Sequence, residues 1–150
     1  MAYQARRRKR FTETFELLNE EGEIVQTLFV DLDADSIVSK LNRKYADLTR
    51  ALADTTKAKR DAQNNEEIAA AFETLGKATV DLFEAVFGQE DTKVITDFYD
   101  GNYIEMVKEV TPFITKHVIP RCIEIKNENQ GEILKSYNRK QRRAFMRLKK

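Results

Sequence analysis

Three aspartates at alternate positions, Asp31, Asp33 and Asp35, come closest among the residues of this chain to the spacing of a metal site. Alternate carboxylates open calcium-binding loops because they can converge on one cation. The rest of such a loop is missing, since its sixth position is Ser36 instead of glycine and its twelfth is Asn42 instead of glutamate. Helix capping by these aspartates is therefore favoured over metal binding.

Other sets of reactive residues are incomplete. His117 and Cys122 have no second histidine or cysteine in the sequence, which leaves both a zinc site and a Cys/His nucleophile pair short of members. The five glycines are scattered and form no phosphate-binding loop. Acid pairs such as Glu20-Glu21 and Glu66-Glu67 fall at a turn and at a helix start, where carboxylates aid solubility and favour the helix dipole. We therefore expect no enzyme activity, no cofactor and no metal.

Charge is sorted along the chain. Five of the 26 basic residues lie in residues 1–10 and eight in residues 135–150, and neither segment holds an acidic residue. The remaining 13 basic residues share residues 11–134 with all 25 acidic ones. An acidic body with two basic arms is predicted, which is a statement about partners and not about fold.

The length of the chain and the pattern of its apolar residues predict which helices and strands position these residues. A chain of 150 residues, 41% hydrophobic and with few glycines and prolines, suits one helix-rich domain. It has no apolar run long enough for a signal peptide or a membrane span, so we expect a cytoplasmic protein with no membrane partner. Residues 11–18 and 23–30 alternate apolar with polar residues around Asn19-Glu20-Glu21-Gly22, which predicts a β-hairpin.

Helical spacing dominates the rest. One amphipathic helix is predicted to follow Asp33 or Asp35. Its apolar stripe consists of Ile37, Leu41, Tyr45, Leu48 and Leu52. A second is predicted to begin after the Asn64-to-Glu67 cap and to stop at Gly88, and a short one to end at Gly101. Pro112 and Pro120 predict a kinked or broken helical segment after that. The fold class is mainly α (α+β), with an N-terminal β-hairpin, a bundle of four to six helices and a basic helical tail. The expected divisions are an arm (1–10), one domain (11–130) and a tail (131–150).

The basic arms invite two interpretations. Both could neutralise phosphates, and Phe145 could stack on a base beside Arg142 and Arg143. Alternatively the arms are solvated, or fold back on an acidic neighbour of the same kind. Because an acidic body would repel nucleic acid, protein contacts are favoured over nucleic-acid contacts.

Six segments resemble tail assembly chaperones from long-tailed phages of Gram-positive bacteria. The similarity covers about residues 11–125, follows the order found in such proteins, and includes no catalytic or ligand motif. The segments are residues 15–24 (FELLNEEGEI), 31–37 (DLDADSI), 87–90 (FGQE), 98–106 (FYDGNYIEM), 110–114 (VTPFI) and 118–120 (VIP).

This resemblance implies a small, mostly helical, non-catalytic protein of phage tail morphogenesis in the host cytoplasm. Members of the family coat the tape measure protein, and some have a longer form, made by ribosomal frameshifting, that recruits the tail tube protein. Weak contacts by repeated, self-associating copies suit that task. The alternatives are a nucleic-acid-binding protein that uses its basic termini, and a structural virion or interaction protein.

Seven residues are the candidate partner-binding residues. Four aromatic ones lie on the predicted kinked segment and could form an apolar surface, although core packing is the alternative for each. Three basic ones lie in the C-terminal arm. They are Phe98, Tyr99, Tyr103, Phe113, Arg139, Arg142 and Arg143.

Overall fold

The computed structural model describes residues 2–61 and 63–131, which form a β-hairpin followed by helices. No helix within these ranges is both long and apolar enough to cross a bilayer. The mainly helical class and the N-terminal hairpin are confirmed. The elements are β1 (Phe11–Leu18), β2 (Ile24–Leu32), α1 (Ala34–Asp61), α2 (Asn65–Phe98) and α3 (Tyr103–Phe113), after which a π-helical turn (Ile114–Val118) leads into α-helix over residues 119–131.

The hairpin is antiparallel, with Thr14 opposite Phe29. Its turn is held by Asn19, whose side-chain oxygen accepts hydrogen bonds from the backbone N–H groups of Glu21 and Glu23. One face packs on the helices and the other is open to solvent, where Phe29 is 60% exposed. Burial of the inner face ties this otherwise marginal element to the body.

Helix α1 is capped by Asp33, whose carboxylate accepts a hydrogen bond from the N–H of Asp35 at 3.2 Å. Capping was therefore the right prediction for this residue. The buried stripe includes Val38 and Leu48, whereas Tyr45 is 38% exposed. Leu41 and Leu48 are buried as predicted, and Ile37 and Leu52 pack partly buried against the core, so the predicted stripe is largely confirmed and only Tyr45 lies at its exposed edge.

Helix α2 begins as predicted, since the Asn64 side chain accepts a hydrogen bond from the N–H of Glu67 at 2.9 Å. At Gly88 the backbone leaves helical geometry, with φ of 82° and ψ of 170°. This conformation suits glycine because it has no Cβ. Helical geometry is thus interrupted at Gly88, as predicted, and a second helical segment continues the element beyond this kink to Phe98.

Three α-helices in the described ranges replace the four to six that were predicted. Gly88 only kinks α2, and Pro112 lies inside α3. A proline clashes with the carbonyl four residues before it, which for Pro120 is that of Lys116. Lys116 lies in the π-helical turn, where the N–H of Ile119 bonds to the carbonyl of Ile114. The wider turn lets the helix pass this proline without a break.

An aromatic cluster joins the hairpin to the helices. The Phe15 ring lies 4.9 Å from that of Phe113 and 5.2 Å from that of Phe87, measured between ring centroids. Fully burying a phenylalanine ring stabilises a fold by about 1.5–3 kcal/mol, and the partly buried Phe15 ring contributes part of that amount. The cluster therefore fixes the hairpin along the helix that runs from Tyr103 to residue 131.

Candidate partner-binding cleft

A cleft of about 750 Å³ opens where the hairpin turn faces the corner between α2 and α3. Four of its nine lining residues are apolar, aromatic or amide, and the other five are carboxylates. We call it the acidic cleft, and define it by Leu18, Asn19, Glu20, Glu21, Phe98, Tyr99, Asp100, Glu105 and Glu109.

Local sequence sets the geometry of this corner. Asp100 and Gly101 both have positive φ, of 53° and 73°, which turns the chain sharply after α2. Asn102 then starts α3, because its side-chain oxygen accepts a hydrogen bond from the N–H of Glu105 at 3.1 Å. Glu105 and Glu109 follow four residues apart and so occupy one face of the helix. That face looks toward the hairpin turn.

The electrostatics of the acidic cleft are one-sided. Among residues 2–61 and 63–131, its lining contains five carboxylates and no basic residue. None of the five forms an ion pair within the described part of the chain. Burial, together with the charges of Glu109 and Glu105, raises the pKa of the Tyr99 phenol. Like charges four residues apart on a helix destabilise it slightly, so this cluster is not explained by stability.

Two of the predicted aromatic residues line the acidic cleft. The Phe98 and Tyr99 rings meet edge to face with their centroids 4.8 Å apart. The other two serve packing contacts. A Cβ built on Gly76 would lie 2.6 Å from the Tyr103 ring, so this ring sits directly on the backbone of α2. Phe113 belongs to the aromatic cluster.

The predicted basic site residues Arg139, Arg142 and Arg143 lie outside the described residues. The carboxylates of the cleft were missed, because Glu20 and Glu21 had been assigned to solubility at a turn. About eighty positions separate them from Glu105 and Glu109. A signal was present in the capped start of α3, where two glutamates follow Asn102 at helical spacing.

Three basic residues that directly precede β1, Arg8, Lys9 and Arg10, are paired within the chain. Arg8 bonds to Asp33 at 3.1 Å and to Asp35 at 2.9 Å, and Arg10 bonds to Asp31 at 2.8 Å. The three aspartates that resemble the opening of a calcium loop thus hold arginines. In residues 2–61 and 63–131, no group of three or more potential ligands is arranged to hold a metal ion.

The helix over residues 119–131 completes this N-terminal ion-pair cluster. Lys9 reaches Glu128 at 3.4 Å, and the buried Asn129 amide donates to the Lys9 carbonyl and the Asp35 carboxylate, both at 3.2 Å. Burial alone would raise the pKa of the Asp33 carboxyl, but the N–H of Asp35 and the charge of Arg8 outweigh it and lower that pKa. The arm is therefore bound to the fold at the far end of the helix from the acidic cleft.

His117 and Cys122 do not form a pair. His117 is exposed, whereas Cys122 is fully buried. Burial raises the pKa of the Cys122 thiol to about 11. Such a thiol is mostly protonated at neutral pH and hence a poor nucleophile or ligand.

A second, smaller groove of about 230 Å³ lies between α1 and α2 and mixes both charge signs, with Lys44, Arg50 and Lys77 beside Asp47 and Asp81. The acidic cleft differs because it offers one charge sign next to accessible aromatic surface, a combination that suits a segment with both basic and apolar side chains. No protein-family model, curated protein or solved structure matches this chain. Its function is therefore inferred from its residues and their geometry.

Proposed function

We propose that the protein is a non-catalytic chaperone of phage tail assembly, which holds a segment of the tape measure protein in the acidic cleft. The observation that carries the proposal is the cleft itself, with five carboxylates beside the Phe98 and Tyr99 rings. Two of the segments that resemble tail assembly chaperones, residues 15–24 and 98–106, supply most of its lining.

The chemistry of the acidic cleft suits a partner that is held and later released. Carboxylates exposed to solvent attract basic side chains with modest energy that salt weakens. The apolar part, from Leu18, Phe98 and Tyr99, is too small to bind an apolar helix tightly by itself. Many weak contacts along one long partner give a strong total association that a competing assembly step can displace.

In this proposal the protein acts in the host cytoplasm and covers the tape measure protein until the tail tube protein takes its place. A longer frameshifted form of the chain would recruit that tube protein. The described structure contributes one further argument. Because Arg8, Lys9 and Arg10 are engaged with acidic residues of the same chain, they are poorly placed to neutralise phosphates, which supports a protein partner over nucleic acid.

The test is capture of partners from phage-infected cells by the tagged chain, with and without nuclease, followed by mass spectrometry. We expect nuclease-resistant recovery of one very long, helix-rich phage protein. The double variant Glu105→Lys/Glu109→Lys should lose it. The control Glu73→Lys/Glu90→Lys makes the same change of charge at exposed positions of α2 and should retain it.

Three results would contradict the proposal. Recovery that disappears with nuclease would assign the protein to nucleic-acid binding. Equal recovery by the cleft variant and the native chain would remove the acidic cleft from the interaction. Abundant protein in purified virions would indicate a structural component, since a chaperone leaves before the particle is complete.

A further inference from the structure

The β-hairpin carries a large share of the exposed apolar surface. Eight large apolar side chains are exposed in residues 2–61 and 63–131, and half of them belong to the hairpin. Their exposed fractions lie between 49% and 60%, and they are Leu18, Ile24, Val25 and Phe29. Exposed apolar side chains that are gathered on one element mark an interaction surface.

The first half of β2 extends past the helices. All four residues from 24 to 27 are exposed, whereas a strand that lies on a core exposes only alternate positions. From Leu28 onward the alternation appears, because Leu28, Val30 and Leu32 belong to the core. Both faces of β2 are therefore open to solvent near the turn, and its outer face stays open as far as Phe29.

The edge of β2 that points away from β1 has no partner in the described ranges. There the sheet consists of two strands, and no further backbone hydrogen bond of these ranges involves residues 24–32. A β-bulge at Val25 interrupts the ladder, so the regular edge runs from Gln26 to Val30. We call these five residues of β2 the open edge.

The open edge lacks the usual safeguards of an edge strand. Proteins commonly protect such an edge with lysine, proline or a charge that points inward. Strand β1 has this protection, since Glu13 occupies the same face as the buried Phe11 and Leu17. By contrast, residues 24–30 (IVQTLFV) contain no charged residue, no proline and no glycine. Because residues of this kind favour strands, the open edge is suited to pair with one more strand.

Charge indicates where that strand comes from. Residues 11–32 contain six acidic residues and no basic one, and in the described ranges only Asp31 among them has an ion pair, with Arg10. A second copy would bring six more carboxylates beside them, and like charges on adjacent strands are destabilising. The chain's own basic segment, residues 135–150, contains no valine, isoleucine or threonine and is a weak strand former. The strand that fits the open edge therefore belongs to another protein.

We propose that the open edge accepts an extended segment of another protein as a third strand, and that this segment combines lysine or arginine with β-branched residues. Backbone hydrogen bonds form along Gln26 to Val30, as in other complexes in which a peptide adds to a sheet. The apolar side chains of the segment cover Phe29, and its basic side chains approach the carboxylates of the hairpin. This surface differs from the acidic cleft, so the inference goes beyond the proposed function and requires no phage protein.

Amide hydrogen exchange of the full chain, resolved by residue with NMR, tests the proposal. The probe is a synthetic peptide of alternating valine and lysine. Every second N–H group of the open edge points away from β1, and we expect these groups to exchange freely in the chain alone. With the peptide at about ten times its dissociation constant, their exchange should slow roughly tenfold. Peptides with glutamate in place of lysine, or with proline in place of valine, should not slow it.

Two variants separate the open edge from the rest of the surface. The edge variant Val25→Thr/Phe29→Thr removes two exposed apolar side chains but keeps β propensity. It should bind the peptide roughly tenfold more weakly, because apolar cross-strand contacts are lost. The control Tyr45→Thr/Ile123→Thr changes two exposed apolar side chains on helices and should bind like the native chain. Equal weakening by both variants would overturn the proposal.

The acidic cleft also attracts a basic peptide, so the place of binding has its own control. The cleft variant Glu105→Lys/Glu109→Lys should still show slower exchange at the open edge when the peptide is added. Loss of that effect would assign the peptide to the acidic cleft and overturn the proposal. Capture of the tape measure protein depends on the cleft variant and peptide binding on the edge variant, so the two proposals can fail separately.

Other occupants of the open edge have distinct signatures in the same experiment. Slow exchange of its outward N–H groups in the chain alone, at every dilution, would mean that another segment of the same chain fills it. Slowing that increases with the concentration of the chain alone would mean a second copy. Either result overturns the proposal, as does a peptide that leaves exchange at the open edge unchanged.

Discussion

Acidic residues cluster at both ends of this molecule, but they have different partners. At one end Asp31, Asp33 and Asp35 receive Arg8 and Arg10 from the N-terminal arm, and the buried Asn129 joins them. At the other, the five carboxylates of the acidic cleft receive no basic side chain from the described residues. The first cluster is part of the fold, whereas the second carries charge that no residue of the described ranges neutralises.

The ends also differ in what holds them together. Polar contacts attach the arm at the N-terminal ion-pair cluster. At the cleft end, packing holds the start of α3 against α2, because the Tyr103 ring lies on the backbone of Gly76, which has no side chain. Charge therefore stabilises the end that holds the N-terminal arm, whereas at the cleft end the carboxylates repel one another and packing supplies the stability. Substitutions at the two ends should change the free energy of unfolding by different amounts and with different signs.

The largest effect is expected at Gly76. Alanine there would improve helix propensity by about 1 kcal/mol, but its Cβ would displace the Tyr103 ring. We expect a net loss of about 1–2 kcal/mol in the free energy of unfolding, as is usual for overpacking. Urea denaturation measures it.

A double-mutant cycle provides the control. In a Tyr103→Ala background the clash is gone, and Gly76→Ala should become stabilising by about 1 kcal/mol. The same loss in both backgrounds would show that Tyr103 does not anchor the cleft end.

At the opposite end, Asn129→Ala should lower the free energy of unfolding by about 1–2 kcal/mol. The buried amide donates two hydrogen bonds, one of them to a carboxylate, and bonds of this kind contribute about that much. The matched control is Gln130→Ala, which removes an exposed amide one position along and should cost about 0.5 kcal/mol or less. Equal losses would contradict the role assigned to Asn129.

Neutralising an acid should have opposite signs at the two ends. Asp33→Asn removes a partner of Arg8 and should destabilise the protein by about 1 kcal/mol or less, since the pair is partly exposed. Glu109→Gln relieves repulsion in the acidic cleft and should stabilise it by a few tenths, about 0.2–0.5 kcal/mol. Denaturation at low salt resolves both, and changes of the same sign would refute the comparison.

A pH series sharpens the Asp33 result. Its pKa is lowered in the fold, so its contribution is complete above the unfolded pKa, near 3.9, and is lost as pH falls through the lower folded value. As pH falls below the unfolded pKa, the native chain should therefore lose stability more steeply than Asp33→Asn. Parallel curves would mean that Asp33 makes no such contribution.

The smallest expected effect is a change in the pKa of the Tyr99 phenol. Burial and the charges of Glu109 and Glu105 raise the pKa of Tyr99, so Glu105→Gln/Glu109→Gln should lower that pKa. Ultraviolet titration of the phenol measures the shift, with Glu73→Gln/Glu90→Gln as the control. An unchanged pKa would show that these carboxylates do not act on the phenol.

Hydrogen bonds between residues that are close in the sequence were predictable, whereas contacts between residues far apart in the sequence were not. The caps at Asp33 and Asn64 use hydrogen bonds over two or three positions, which sequence spacing reveals. The acidic cleft joins a hairpin turn to a helix start far along the chain. Tyr99 and Tyr103 are both partly buried, and the sequence did not reveal that Tyr103 packs on the bare backbone of Gly76 whereas Tyr99 lines the acidic cleft. The helix count failed because a π-helical turn lets the chain pass Pro120.

The π-helical turn at Ile114–Val118 also sets the rotation, about the helix axis, of residues 119–131 relative to α3. The buried positions Val110, Ile114, Val118 and Cys122 step by four residues, and in an ideal α-helix each such step overshoots a full turn by about 40°. The wider π-helical turn rotates less per residue, which offsets part of this overshoot and keeps all four side chains on one face of the helix. Deleting one residue from it would rotate everything downstream by about 100°. Asn129 would then face a new direction, so its hydrogen bonds to the N-terminal arm and to Asp35 depend on a single extra residue in the π-helical turn.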